Sequence, residues 1–136
     1  MAWVKVKTFR TASRLFDFAN IGPSDVVIFS LSDVNTGMPY IYFVSGSYSV
    51  SGYSTKSLTL NQWQHMACVY SFPFYSIYID GTEVTTPGSQ SNLPTFTVAG
   101  IMRYSNFIGR SNWNNDQDAD AYFDDLRLNY FIILKN

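Results

Sequence analysis

The stretch that decides the fold class is residues 75–86, with the sequence YSIYIDGTEVTT. Residues 75–80 are mostly aromatic and β-branched side chains, and residues 83–86 form a second short run of this kind. Asp80 and Gly81 lie between the two runs. Both central residues of a type I′ turn need a positive φ, which Asp and Gly tolerate better than most residues. The stretch therefore predicts an antiparallel β-hairpin.

Similar runs continue on both sides of this hairpin, with turn residues about every 8–12 positions. No segment shows the apolar period of an amphipathic helix. Strands are predicted at residues 2–7, 14–19, 26–31, 40–44, 45–52, 64–71, 75–80, 83–86, 95–98, 106–109 and 121–130. This pattern predicts an all-β antiparallel β-sandwich of the jelly-roll type.

Serines alternate with other residue types over residues 45–52. Ser45, Ser47, Ser49 and Ser51 share one parity, and side chains of one parity lie on one face of a strand. The period of two predicts an antiparallel strand with one face lined by hydroxyl groups.

Length and charge limit the class of protein. The 136 residues suffice for one domain with a buried core. The net charge is −1, from 9 basic and 10 acidic residues, so the basic excess of a nucleic-acid-binding protein is absent. No run of about 18 apolar residues is present, and the first residues lack the apolar core of a secretory signal. We predict no nucleic-acid partner and no membrane insertion.

One His, one Cys and one Glu are too few for most catalytic constellations and most zinc sites. His65 and Cys68 have opposite parity, so on a strand they point to opposite faces and do not form a nucleophile–base pair. We predict that Cys68 is a small buried side chain. We predict that His65 packs with its ring nitrogens hydrogen-bonded to backbone.

Three separated segments, in this order, resemble the laminin G-like domain of the concanavalin A-like lectin/glucanase superfamily. They are AWVK at residues 2–5 with RLFDF at 14–18, LNQWQHMA at 60–67 with YIDG at 78–81, and FIGRS at 107–111 with FDDLRL at 123–128. The resemblance covers about residues 2–129, and it implies a single laminin G-like β-sandwich domain over residues 1–136.

The two ends depart from the family pattern. Family members have one or two strands before the AWVK strand, and here that strand follows Met1 directly. Residues 129–136 form an apolar tail unlike the usual family sequence. The resemblance therefore implies that the first family strands are lacking, which would expose sheet edges. We expect the tail to fill that gap or to pair with another chain, giving self-association through exposed edges.

Catalysis of the glucanase type needs two carboxylates about 5–5.5 Å apart in the retaining mechanism. Glu83 is the chain's one glutamate, and it follows a hairpin turn. Asp124 and Asp125 are adjacent, so on a strand they point to opposite faces. We predict that the protein is not an enzyme.

Asp124, Asp125 and Arg127 match the family's last signature. We predict a structural role, in which one carboxylate caps the amides of a neighbouring loop and Arg127 pairs with a carboxylate. Asp17 is a further candidate for this role at the same end of the fold.

Asp116, Asp118 and Asp120 are a candidate calcium site, because hard cations accept carboxylate oxygens from irregular loops. The sixth position of the loop is Ala121 and the twelfth is Arg127, which excludes an EF-hand. Laminin G-like relatives often bind calcium. The alternative is a solvated acidic loop without a metal.

Exposed aromatic residues are the candidate ligand-binding residues, because an aromatic ring can stack on the apolar C–H face of a sugar. Trp113 lies between Asn112 and Asn114, whose amides would orient the sugar, and Tyr48 and Tyr53 lie by the serine-rich strand. The alternative for each aromatic is packing in the core.

The resemblance implies a non-catalytic, lectin-like recognition module outside the cell, with a carbohydrate as its ligand. One alternative is a structural or protein-interaction domain of a larger extracellular protein, whose partner is an extracellular protein instead of a glycan. Another is a truncated fragment without function.

Overall fold

Ten β-strands and no helix occupy the residues that the computed structural model describes, namely 1–20, 25–71, 74–86 and 101–129. The strands are β1 (Ala2–Thr8), β2 (Arg14–Ala19), β3 (Val27–Ser30), β4 (Tyr40–Ser45), β5 (Tyr48–Tyr53), β6 (Trp63–Ser71), β7 (Phe74–Ile79), β8 (Thr82–Glu83), β9 (Ser105–Ile108) and β10 (Asp120–Asp124). In this part of the chain no helix has the length and apolar character needed to cross a membrane.

The strands form two antiparallel sheets of five strands each. The first sheet has the order β10-β1-β6-β7-β8, and the second has the order β5-β4-β3-β2-β9. One apolar cluster draws side chains from both sheets, including Val4 and Ile77 of the first and Phe29 and Ile41 of the second. The prediction of an all-β antiparallel sandwich is confirmed.

Strand β1 shows how the alternation of side chains builds the sandwich. Val4 and Val6 are fully buried, whereas Trp3 and Lys7 are exposed on the other side of the same strand. Burial of each valine stabilises the fold by roughly 1.5–3 kcal/mol before the entropy cost is counted. The inner face of the first sheet thus packs on the core, and its outer face is open to solvent.

The hairpin predicted from residues 75–86 is present between β7 and β8. Asp80 has a φ of 51° and Gly81 a φ of 77°, and the strands pair on either side with Ile79 opposite Thr82. The returning strand is shorter than predicted, because after Glu83 the chain crosses to the second sheet. There Thr85 forms an isolated bridge with Ser54.

The serine-rich stretch forms a turn and a strand instead of the single strand predicted. Gly46 has a φ of 58° and begins a tight turn, so that Ser45 of β4 pairs with Tyr48 of β5. Within β5, Val50 packs in the core, and Ser49 and Ser51 lie on the opposite, outer face. The hydroxyl-lined face is therefore limited to the strand after the turn.

The last predicted strand, over residues 121–130, ends earlier in the structure. Asp125 has a φ of 49°, which interrupts the extended backbone after β10. The chain then runs beside the N-terminus, where Met1 and Arg127 exchange two backbone hydrogen bonds of 2.8 Å. The predicted strand at residues 95–98 and most of the tail, residues 130–136, lie outside the described residues.

Gly52 on β5 is required by the core packing. A Cβ at this position would overlap the ring of Tyr75, which is fully buried. We expect Gly52→Ala to lower the free energy of unfolding by about 3 kcal/mol, because the rigid ring of Tyr75 is buried and has no free space into which it could move. Urea denaturation followed by tryptophan fluorescence measures the loss.

The matched control is Gly46→Ala in the neighbouring turn. A Cβ there meets no atom within 4 Å, so the cost is only the left-handed backbone conformation, about 1 kcal/mol. Equal losses in the two variants would contradict the packing argument at Gly52.

Candidate functional site

The loop between β9 and β10 folds over the outer face of the second sheet. Trp113 in this loop packs against a small apolar cluster separate from the main core, which consists of Ala19, Val26, Ile28 and Val44. Ile28 pairs with Asp17 of β2 and with Tyr42 of β4, so these side chains share the covered face. The loop is thus attached to the sheet by an apolar contact at its middle.

A buried arginine ties the same loop to three strands. The Nη1 atom of Arg14 donates to the Ser30 hydroxyl at 2.8 Å and to the Tyr40 hydroxyl, and Nη2 donates to Oδ2 of Asp116 at 2.6 Å. Its Nε atom lies 3.7 Å from Oδ2 of Asp17. Burial raises the pKa of Tyr40, so its hydroxyl stays protonated. The charged guanidinium of Arg14, with partners on three strands and on the loop, holds the loop in one geometry.

Asp17 fixes the beginning of the loop. Its carboxylate, which is fully buried, accepts hydrogen bonds from the backbone N–H of Asn112 at 3.0 Å and from the Asn112 side-chain amide at 2.8 Å. The same amide also exchanges hydrogen bonds with Ser105. Asn112 was predicted as a ligand-binding residue. Its side chain instead positions the loop.

The outer surface of the loop forms a cleft of about 260 Å³. It is lined by Arg110, Ser111, Trp113, Asn114, Asp116 and Asp118. The exposed lining consists almost entirely of polar amide, guanidinium and carboxylate groups, and the half-buried indole of Trp113 contributes little apolar surface. Hydrogen-bonding groups of both kinds are one part of what sugar recognition needs. Two predicted ligand-binding residues, Trp113 and Asn114, meet here.

Tyr53 lies on the same face of the second sheet as this cleft. Its ring stacks on that of Tyr40 with a centroid separation of 5.7 Å. The guanidinium carbon of Arg14 is 5.4 Å from the Tyr40 ring and 5.7 Å from the Trp113 ring. A continuous row of planar groups therefore connects Tyr53 to Trp113 across the sheet.

Tyr48 is not part of this arrangement. It begins β5 next to the turn, and it has the parity of Val50, which faces the core, instead of that of Tyr53. Its side chain is exposed beyond the end of the core. The structure therefore brings Tyr53, but not Tyr48, to the face with Trp113.

Asp116 and Asp120, two of the three predicted calcium ligands, are bound to cations of the protein itself. Asp116 accepts from Arg14 and from the Ser111 hydroxyl at 2.7 Å. Asp120 lies 3.5 Å from the ammonium group of Lys7. These contacts neutralise both carboxylates without a metal.

The pKa of Asp120 is held below its usual range, first by a hydrogen bond from the side chain of Thr8 and then by Lys7 and Arg10. Asp118 is exposed, and its backbone carbonyl accepts from Arg10 at 3.4 Å. Across the described ranges no three His, Cys, Asp or Glu side chains converge as metal ligands would. The three aspartates do not fit a calcium site in this geometry, and calcium binding stays a prediction.

Asp17 was predicted as a capping carboxylate, and its hydrogen bonds from Asn112 confirm this role. Its buried partner Arg14 was missed, although the sequence holds a signal for the pair. Both charged residues lie within the otherwise apolar stretch RLFDF of β2, and the buried faces there leave no water to solvate them. Charges in such a strand need a partner. What the sequence lacks is the identity of the third member, Asp116, which is 102 positions away from Arg14.

The predicted structural roles at the end of β10 are confirmed in one part. Arg127 pairs with a carboxylate, since its Nε atom donates to Asp125 at 2.7 Å. The carboxylate of Asp124 accepts only from the adjacent Asp125 N–H among the side-chain hydrogen bonds between described residues. The amide capping expected of these aspartates is performed by Asp17 at the loop and by Asp80, which accepts from the His65 N–H at 2.8 Å.

His65 and Cys68 lie on opposite faces of β6, as their parity predicts. The His65 ring stands edge-on to Trp3, with centroids 5.4 Å apart, on the outer face of the first sheet. Cys68 is only partly buried, less than predicted, and it packs against the main core. Burial raises the pKa of its thiol to about 12.

A laminin G-like family model, described as the concanavalin A-like lectin/glucanases superfamily, matches residues 1–130. No curated protein and no solved structure matches the chain. The matched range includes all the strands described above and the loop with Trp113. This match supports a lectin-like or interaction module, and laminin G-like domains are generally non-catalytic.

Removal of the buried arginine should be costly. We expect Arg14→Met to lower the free energy of unfolding by about 3–5 kcal/mol, because Asp17 and Asp116 keep their charges without a buried counter-charge. Arg127→Met removes an exposed ion pair and should cost less than about 1 kcal/mol. Urea denaturation of both variants checks the difference, and similar costs would show that Arg14 does not hold the loop.

The Cys68 thiol should be unreactive in the folded protein. Because burial moves its pKa from 9.0 to about 12, almost no thiolate is present at pH 8, and reaction with a disulfide reagent should be slow. Folding stability that depends on the protonated thiol should be complete below pH 9 and fall as the pH rises toward 12.

The measurement is the rate of thionitrobenzoate release, with urea-unfolded protein as the control. This chain has a single Cys, so the signal is unambiguous. Equal rates in the folded and unfolded protein would contradict the burial of the thiol.

Proposed function

Because the chain belongs to the concanavalin A-like lectin/glucanases superfamily, we propose that it is a non-catalytic, lectin-like recognition module that binds carbohydrate. The cleft beside Trp113 is the observation that supports this proposal. The family also supports an extracellular location, where glycans and other extracellular proteins are the available partners.

Trp113 would contribute the exposed part of its half-buried ring to the ligand site. Its indole contacts Arg14 and the small apolar cluster of the second sheet, and these contacts keep the ring in one orientation. A sugar in the cleft would meet mainly hydrogen-bonding groups, and the exposed part of the indole would contact its C–H groups. Because the ring is already fixed, little side-chain entropy is lost on binding.

The polar lining would fix the orientation of the sugar. Asn114 offers both an amide donor and a carbonyl acceptor, Asp118 an acceptor, and Arg110 several donors. The Arg110 guanidinium lies over the Phe107 ring at 5.1 Å, which limits its motion. Hydroxyl groups are donors and acceptors at once, and they match this mixture better than a purely apolar ligand would.

Hydrolysis is not supported by the carboxylates near the cleft. Asp17 and Asp116 both contact the Ser111 hydroxyl, at 3.3 and 2.7 Å, so they lie close together beneath the cleft. Asp17 is fully buried, and both carboxylates are bonded to Arg14 or to the loop. Neither is positioned as a free acid or nucleophile for a substrate.

The test is a glycan array with the wild-type protein and Trp113→Ala. We expect the wild type to bind a defined set of glycans and the variant to bind them at least tenfold more weakly, because the ring that lines the cleft and attaches its loop to the sheet is lost. Phe74→Ala is the matched control, since it removes an exposed aromatic ring from the first sheet, and its binding should equal that of the wild type.

Two further outcomes of the array decide between alternatives. Equal binding with calcium and with a chelator is expected, because Arg14 and Lys7 already neutralise Asp116 and Asp120. The absence of binding to any glycan, together with specific recovery of an extracellular protein, would replace the carbohydrate proposal by a protein-interaction domain.

A further inference from the structure

The outer face of the first sheet has a cluster of partly exposed rings that the cleft does not use. Trp3 is 42% exposed, Trp63 43% and Tyr122 54%. Trp3 of β1 pairs in register with His65 of β6, and the two rings contact each other edge-on with centroids 5.4 Å apart. We call Trp3, Trp63, His65 and Tyr122 the aromatic face.

The aromatic face also holds one lysine and one aspartate in register with its rings. Trp3 of β1 is opposite Asp124 of β10, and opposite residues share one face of a sheet. On the same two strands Lys5 is opposite Tyr122. None of the ion pairs between described residues includes Lys5 or Asp124. Both charges are therefore available to a second molecule.

The other charges of this face are already bonded or lie farther away. The Lys7 ammonium is 3.5 Å from Asp120 and 5.3 Å from the centroid of the Tyr122 ring. The Asp80 carboxylate accepts two hydrogen bonds from β6. Glu83 is on β8, at the opposite edge of the sheet from β10. Lys5 and Asp124 are thus the charges nearest the rings that have no ion pair among the described residues.

The exposed rings offer apolar area on the scale of a protein contact. Trp3, Trp63 and Tyr122 together expose roughly 200–350 Å², since each full side chain has about 150–250 Å². Val69, on the same face of β6, is 51% exposed and adds to this area. A standard interface buries about 800 Å² on each partner, and in homodimers about 65% of that area is apolar. The face therefore supplies at least about half of the apolar area that a homodimer of this size needs.

The register suits a two-fold axis. Four residues occupy the corners of a rectangle, with sides of about 5 Å between the strands and about 7 Å along them, namely Trp3, Lys5, Tyr122 and Asp124. Lys5 and Asp124 lie at opposite corners. When two copies face each other, a two-fold axis along the diagonal from Trp3 to Tyr122 places Lys5 of each copy near Asp124 of the other. The same axis places the Trp3 positions of the two copies opposite each other.

Charge distinguishes a second copy from other occupants. A strongly acidic or strongly basic molecule would bring a like charge to either Asp124 or Lys5. A neutral molecule would leave both charges without a partner. A copy of the same face neutralises both of them, because in a two-fold contact each residue meets its counterpart twice.

We propose that the aromatic face is the contact surface of a reversible homodimer, in which two copies pack the outer faces of their first sheets together. The Trp3 rings form the centre of the contact, Trp63 and Tyr122 surround it, and Lys5 of each copy pairs with Asp124 of the other. The Trp113 cleft lies on the outer face of the second sheet, so it points away from the contact in both copies. The dimer goes beyond the proposed function and does not depend on the cleft.

The test measures self-association of the full chain. Sedimentation equilibrium between about 1 and about 200 μM should show a monomer–dimer equilibrium with a dissociation constant of the order of ten micromolar. The chain has three tryptophans, so in Trp113→Phe the fluorescence reports on Trp3 and Trp63 alone. The emission of this variant should shift to shorter wavelength as the dimer forms, because both rings lose contact with water.

Exchange of the two charges is the decisive set of variants. Lys5→Glu and Asp124→Lys should each weaken the dimer at least about tenfold, because each change brings like charges together twice in one contact. The double variant, in which the charges have changed places, should return to within about threefold of the wild type. Damage to the fold would not give this rescue. The melting temperature at a concentration where the wild type is monomeric should be equal in all four proteins.

Trp3→Ala should weaken the dimer at least about tenfold, because it removes the ring at the centre of the contact. Phe74→Ala is the matched control on the same sheet. Phe74 is opposite Ser71, which lies about 20 Å from His65 along β6, so it is outside the centre of the contact. Phe74→Ala and Trp113→Ala should both keep the dissociation constant of the wild type.

Three results would overturn the proposal. One is a chain that stays monomeric over the whole concentration range, which would leave the aromatic face to a molecule other than a second copy. Another is a double charge variant that dimerises as weakly as the single variants, which would remove the pair of Lys5 and Asp124. The third is a dimer that Trp3→Ala leaves intact and that deletion of residues 130–136 abolishes, which would assign self-association to the tail.

Discussion

The arrangement of the candidate site depends on the buried guanidinium of Arg14. It joins β2, β3 and β4 to the loop between β9 and β10 through Ser30, Tyr40 and Asp116. Such buried ion pairs are poor sources of net stability, because the cost of removing both charges from water offsets their attraction. Their effect is on geometry. The donors of a planar guanidinium point in fixed directions, so only one position of the loop satisfies them. The loop that forms the cleft is therefore attached to the sheet beneath it by both polar and apolar contacts.

This constraint makes the two outer faces of the sandwich different. On the second sheet the loop covers the strands, and Trp113 rests on a small apolar cluster beneath it. On the first sheet no described segment covers the centre of the outer face, so Trp3 and Trp63 stay partly exposed. The same fold thus presents a polar cleft on one side and a flat aromatic surface on the other.

Local sequence signals predicted the elements whose conformation depends on residues that are close together in the chain. The Asp80-Gly81 hairpin formed because both residues accept a positive φ, and β2 was predicted with its observed bounds from its run of strand-forming residues. The serine-rich stretch was predicted wrongly as one strand, because a period of two continues through a two-residue turn when Gly46 permits it. The return from β8 to the second sheet was also missed, since the bridge between Thr85 and Ser54 is a contact between distant segments.

The sequence by itself determined the fold class, the two-faced character of each strand and the family, because alternation of side chains and turn chemistry act over a few residues. It also singled out Trp113 and Asn114, because an indole among amides is unusual for a core. Only the tertiary structure decided that Asn112 holds the loop, that Tyr48 lies away from Trp113, and that Asp116 and Asp120 are neutralised by Arg14 and Lys7. These assignments depend on side chains that are far apart in the chain, and the choice among several available partners for each charge is made by packing.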